Sequence, residues 1–189
     1  MRITMRLITQ LSGVVLVVLA VGLSAAGQGQ STAIERGKYL VTGTGCGDCH
    51  TPMKMGPAGP ESDPTRFMSG HPESLTMPAA PKLGQGPWLG VVSATFTAWA
   101  GPWGTSFTAN LTPDKDTGLG KWSAKTFIDA IRAGRHMGRG RQILPPMPYA
   151  ALKNLTDDDL KSIFAYLGSI PPIANKVPDP VPPDDPGPR

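Results

Sequence analysis

Residues 46–50 read Cys-Gly-Asp-Cys-His, and Cys46 and Cys49 are the only cysteines in the chain. This motif limits the fold more than any other feature, because two thiols and an adjoining histidine must serve one chemistry. A disulfide between them would close a ring of four residues and remove little entropy from the unfolded chain. A zinc centre needs four ligands, and beyond the motif the chain has only His71 and His136, in no zinc-site spacing. A thioredoxin-type thiol pair belongs beside a βαβ unit, and no such pattern surrounds these residues.

Thioether chemistry accounts for the motif better. Two thiols spaced C-x-x-C add across the two vinyl groups of haem, and the next residue, His50, is placed under the iron. The cofactor expected is one covalently bound haem c, held by Cys46, Cys49 and His50. The sixth position on the iron then decides function. An open position allows peroxidase or sensor chemistry, whereas a second strong ligand leaves electron transfer. Candidates are Met53, Met55, Met68, Met77, Met137, Met147, His71 and His136. Most methionines only fill cores. Met147 stands apart, because in "LPPMPYAAL" the flanking prolines forbid a helix and hold an extended loop. Such a loop presents a thioether at low entropic cost, so His50 and Met147 are the expected iron ligands. His136 is the rival and would give a bis-histidine iron.

The N-terminus carries Arg2 and Arg6, then an uncharged apolar run to Ala26 that ends in small residues. This is the build of a secretory signal over 1–26, and the apolar core is shorter than a membrane span requires. An uncleaved segment would instead anchor the chain at the membrane. Either way the working part lies outside the cytoplasm, in the periplasm or its equivalent. Loss of the two arginines lowers the formal charge from +4 to +2, and nothing in the chain calls for nucleic acid. Lys121, Lys125, Arg132, Arg135, Arg139 and Arg141 form a basic cluster, either a solvated face or a docking patch for an acidic partner.

Three helices are expected. The first starts in "STAIERGKYLVTG", with Thr32 and Glu35 as a capping box. The second covers 122–134, with Ser123 as N-cap and Gly134 as stop. The third follows Thr156, and its Leu160, Ile163, Phe164 and Leu167 recur along one buried face. Gly and Pro supply 23 and 21 of the 189 residues, which favours long irregular connections. They crowd residues 53–104, expected to be a long insert loop with a short hairpin turning at "GPWG". Residues 27–176 make one domain, and the Pro-rich tail 177–189 is expected to be disordered.

The segments "RGKYLVTGTGCGDCHTP", "SFTANLTPDKDTGLGKWSAKTFIDAIRAG", "LPPMPYAAL" and "LTDDDLKSIFAYLGSIPP" occur in the order of a class I c-type cytochrome, which the chain resembles over roughly 32–172, the stretch 53–90 apart. It is similar to haem domains in the cytochrome c subunits of membrane-bound alcohol and gluconate dehydrogenases. Those subunits carry three C-x-x-C-H motifs, and this chain has one. The resemblance implies an all-α cytochrome c fold in which Gly37 and Leu40 pack the first helix across the last, near Phe164 and Leu167. It also implies that a proline carbonyl, here Pro102, orients His50. Trp122 is either a donor to a haem propionate or a plain core residue. The function implied is carriage of single electrons between redox proteins such as a dehydrogenase, an oxidase or another cytochrome, with no catalysis of its own. The alternatives are a haem subunit fixed to a membrane-bound dehydrogenase, and an open-haem peroxidase or sensor.

Overall fold

The computed structural model describes residues 29–83 and 86–183, so the expected signal segment, 1–26, and the last six residues lie outside the described residues. The first helix, α1, runs over 29–43. It is already helical at Gly29, upstream of the capping box expected at Thr32. The Thr32 hydroxyl instead donates to the Gly29 carbonyl at 2.9 Å, a back-bond open to threonine inside a helix. Gly45, at φ 68°, turns the chain into α2, Cys46–His50.

The other two expected helices begin at the expected caps. In α3, Ala124–Ala133, the Ser123 hydroxyl accepts from Thr126 N, and Gly134 at φ 62° ends the helix. A one-turn helix, α4, covers Tyr149–Leu152. In α5, Asp157–Ser169, the Thr156 hydroxyl accepts from Asp159 N, and three aspartates occupy the first turn, where the helix dipole favours them. Helix α1 crosses α5 at Gly37. A Cβ there would strike the Ser162 carbonyl and Tyr166, so only glycine allows this approach. Leu40 and Val41 of α1, Phe127 and Ile131 of α3 and Leu160, Ile163 and Leu167 of α5 meet in one core with Met68 and Leu119.

The fold is mostly helical but not all-α. Among the described residues, five short strands lie in and just beyond the stretch expected to be an irregular loop. Strands β1, Met53–Gly56, and β2, Gly59–Ser62, form a hairpin. Strands β3, Val91–Val92, β4, Ala98–Gly101, and β5, Gly104–Phe107, form an antiparallel sheet in that order. The β4–β5 turn falls at Pro102 and Trp103. This is the hairpin expected at "GPWG"; the β1–β2 hairpin escapes a sequence reading because each of its strands spans four residues, too short for alternation to register.

The tail also departs from expectation. Thr105 of β5 and Val181 exchange two backbone hydrogen bonds, of 2.8 and 2.9 Å, so the chain is ordered well past Val177. Its prolines block a helix but not an edge pairing.

Candidate cofactor site

Helix α2 carries Cys46, Cys49 and His50 on little more than one turn. Both thiols are free and half-buried, and burial pushes both above the ordinary thiol pKa. His50 is buried, and its Nδ1 lies 2.8 Å from the Ala109 carbonyl oxygen. A carbonyl only accepts, so Nδ1 carries the proton and Nε2 keeps its lone pair. Burial pulls the His50 pKa below the usual value, which holds the ring neutral. The orienting carbonyl is therefore Ala109, not Pro102, which sits in the β4–β5 turn.

Backbone contacts hold α2 in place. Gly70 N donates to the His50 carbonyl at 2.8 Å, and Met68 N donates to the Thr51 hydroxyl at 3.2 Å. Residues 68–71 are joined in turn to 108–111, through His71 N to Thr108 O at 3.0 Å and Leu111 N to Met68 O at 2.9 Å. Gly70, at φ 75°, lies so close to the Thr108 and Ala109 backbone that a side chain would clash. Met68 itself is fully buried at φ 61°.

Met147 is half-buried and packs against the same apolar core as Cys46. Its loop is tied down from the sheet, where the Ser106 hydroxyl donates to the Pro145 carbonyl at 2.6 Å. The other candidate ligands are placed elsewhere. His71 is fully buried, with Nδ1 2.9 Å from the Thr97 hydroxyl and Nε2 2.9 Å from the Leu75 carbonyl. Both of its ring nitrogens are thus engaged. His136 is exposed, its ring edge-on to Trp122 at 5.2 Å. Met137 is exposed, Met55 lies open on β1, and Met68 fills the core. Trp122 is half-buried against the core.

Phe67, Leu111, Trp122, Met147, Leu152 and Phe164 cover the core without being fully covered themselves. They leave apolar surface beside two free thiols and a neutral histidine. Arg66 Nε, Ser69 Oγ and Thr108 Oγ1, on or beside the segments that flank His50, are buried without hydrogen-bond partners among the described residues. Apolar walls, free thiols and orphaned polar atoms fit a flat, largely apolar group with polar substituents, and the donor set fits haem.

Two further residues matter to the site: Asn110, which lies in a segment that carries the resemblance, and Asn175, which carries no signal in the sequence. Asn110 Oδ1 accepts from Thr112 N and its hydroxyl, while Nδ2 donates to Thr117 Oγ1 and to the Ile173 carbonyl at 2.8 Å. It fixes the loop that presents Ala109. Asn175, 2% exposed, ties the segment after α5 to residues 66–73. The basic cluster proves to be half-neutralised. Lys121 pairs with Asp116 at 2.8 Å, and Lys125 with Asp129 and Arg132 with Asp157 at 2.6 Å each.

A one-turn helix with two thiols and a tautomer-locked histidine, opening on apolar walls, has the build of a haem-binding electron carrier. The chain matches the cytochrome c family over residues 34–171 and belongs to it. Its cofactor is accordingly haem c with iron, and a domain of this family is of the electron-transferring class.

The chain is 36% identical to the cytochrome c subunit of the quinone-type alcohol dehydrogenase of Gluconobacter oxydans, over 41% of this chain and 17% of that one. It is 30% identical to the fructose dehydrogenase cytochrome subunit of Gluconobacter japonicus, over 71% of this chain and 21% of that one. To the gluconate 2-dehydrogenase cytochrome c subunit of Pantoea cypripedii it is 27% identical, over 85% of this chain and 28% of that one. The matched stretches thus span less than a third of the length of these relatives. Among the described residues no helix is long and apolar enough to cross a membrane.

Proposed function

We propose that this chain is a single-haem cytochrome working in the periplasm. In this reading Cys46 and Cys49 hold the haem vinyls, His50 and Met147 are the iron ligands, and single electrons pass between a donor and an acceptor redox protein. The observation that carries the reading is the placement of Cys46 and Met147 on one apolar core, with His50 oriented by the Ala109 carbonyl.

When bound, haem supplies a one-electron iron couple whose potential follows the axial ligands and their surroundings. The protein supplies the rest. Ala109 holds the His50 ring by Nδ1 and leaves Nε2 with its lone pair. The Ser106–Pro145 bond keeps the Met147 loop from drifting. A thioether as sixth ligand raises the potential above that of a bis-histidine iron, and the surrounding apolar side chains limit water. A ligand in the sixth position also argues against a peroxidase or sensor. The names of the relatives favour a second form of the same reading, in which the chain is a haem subunit fixed to a dehydrogenase.

The test is spectroscopic. Holoprotein is expected to show the weak red charge-transfer band of methionine-ligated ferric haem and to bind carbon monoxide poorly. Replacement of Met147 by Ala is expected to abolish the band and open the iron, while His136→Ala leaves both unchanged. The opposite pattern would overturn the ligand assignment, and a folded product free of haem would overturn the cofactor site.

A further inference from the structure

From Leu83 to Pro113 the chain carries no charged residue. Within this stretch Trp88 is 77% exposed, Leu89 67%, Val92 40% and Phe96 39%. Solvent-exposed segments normally carry charge, and large apolar side chains gathered in the open mark a surface that is covered in use.

The sheet shows where this surface leads. Val92 of β3 lies directly opposite Trp99 of β4, and Trp99 lies opposite Ser106 of β5. Residues paired across an antiparallel ladder project from the same face, so these three share one face. Phe96 adds its ring edge-on to Trp99, with centroids 5.9 Å apart. At Ser106 the face is closed, since that hydroxyl is bonded to Pro145, two residues before Met147. At Val92 and Phe96 it is open. The exposed apolar surface therefore continues into the support of the Met147 loop.

Phe96 is also held in an unfavourable backbone state, at φ 57°. A bulky residue at positive φ is costly and persists where its surroundings impose it. Here Phe96 N donates to the Ser93 carbonyl at 2.9 Å, and the Trp99 indole donates to the Phe96 carbonyl at 3.1 Å. The sheet holds this ring on an open face, where it contributes little to the core.

We infer that the sheet face of Val92, Phe96 and Trp99, together with the exposed Trp88 and Leu89 just before β3, is the seat of a permanent protein partner. That partner presents an uncharged apolar surface and carries its own redox centre. The inference rests on the electron-carrier reading and selects its fixed-complex form. Charge decides the kind of partner. Brief electron-transfer encounters use small contacts, and charged patches speed their association. Membrane-surface segments set Lys or Arg beside their aromatic residues, and this stretch has neither. Permanent interfaces are the class depleted in charge at the centre and enriched in Trp and Phe. The position matters as well, because a partner seated there lies against the sheet that leads to Ala109 and braces the Met147 loop.

The test uses the full chain in its native host. A photo-crosslinking residue is placed at position 88, and a control at Lys161, which is exposed on α5. The expected result is one crosslinked polypeptide from position 88, absent from the control, that carries a bound flavin, quinone, haem or iron–sulfur centre and reduces the haem. The complex is expected to survive about 1 M salt, where charge attraction is screened within a few ångströms. Trp88→Ser and Val92→Asp are each expected to lower its recovery roughly tenfold or more, with the haem spectrum and potential unchanged. Crosslinks to a second copy of the chain, crosslinks to lipid, loss of the complex in salt, or no crosslink would each overturn the inference. A holoprotein with the Met147-dependent band but no such partner sinks this inference alone, whereas a chain that folds without haem, or whose haem iron is open to carbon monoxide, sinks the electron-carrier reading itself.

Discussion

The His50 ring is oriented by a backbone carbonyl, and any residue provides one. Cys46, Cys49, His50 and Met147 stand out as candidates because their side chains are chemically distinctive, whereas Ala109 carries nothing that marks it. Two predictions belong to single residues. Met147→Ala is expected to lower the reduction potential as well as open the iron, which a redox titration of the holoprotein beside the parent checks. His71 gives a pH dependence. Burial lowers its folded pKa below the ordinary value of 6.5, so below that pH the unfolded chain takes up the proton first. Stability is complete above about pH 6.5 and falls as the pH drops toward the depressed folded value. Urea unfolding at pH 7 and pH 5 is expected to show this loss, with a shallower slope in His71→Gln. Equal slopes in the two proteins would remove His71 from the account.

Helices α3 and α5 were legible because their ends are local. A hydroxyl at Ser123 or Thr156 reaches an N–H three residues on, and that geometry needs no distant partner. Thr156→Ala is expected to cost about 1 kcal/mol, measured by urea unfolding. The β1–β2 hairpin was illegible because a strand of four residues exists only through its partner, whereas the β4–β5 turn was marked by "GPWG". The crossing of α1 on α5 lies between these cases: the resemblance indicated Gly37, and the structure supplies the Ser162 carbonyl and Tyr166 as its contacts. Gly37→Ala is expected to destabilise by roughly 1–3 kcal/mol, the range for overpacking, since backbone rather than a mobile side chain opposes the added methyl. Unchanged stability would show that the two helices separate at little cost.

Across the whole molecule, the segment after α5 is a strap rather than a loose tail. Asn175 Oδ1 accepts from Arg66 Nη2 and Glu73 N at 2.8 Å each, and Nδ2 donates to the Ser69 and His71 carbonyls at 2.7 and 2.8 Å. Every hydrogen-bonding position of the side chain is used in a buried setting. Farther on, Val181 pairs with Thr105, so the strap joins the flank of His50 to the sheet. Asn175→Ala would leave buried groups unpartnered, at about 1–3 kcal/mol for each one not reached by water. Its expected signature is faster proteolysis within residues 173–183 and faster amide exchange at Gly70 and His71. Unaltered exchange at those amides would reduce the strap to a surface feature.

By itself the sequence marked the candidate chemistry, in the thiol pair with its histidine and the proline-bound methionine, and determined the local grammar, in the caps of α3 and α5 and the glycine that ends α3. Each depends on residues a few positions apart, whose side chains announce their role. Only the tertiary structure decided that Ala109 orients His50, that Ser106 braces the Met147 loop and that Asn175 closes the strap. The same is true of the pairing that leaves Lys121, Lys125 and Arg132 neutralised while an uncharged sheet face stays open. Most of these contacts join groups far apart in the chain, and in most of them one partner is a backbone carbonyl or amide. Such groups are alike at nearly every position, so distance and burial, rather than residue type, select the ones that are used.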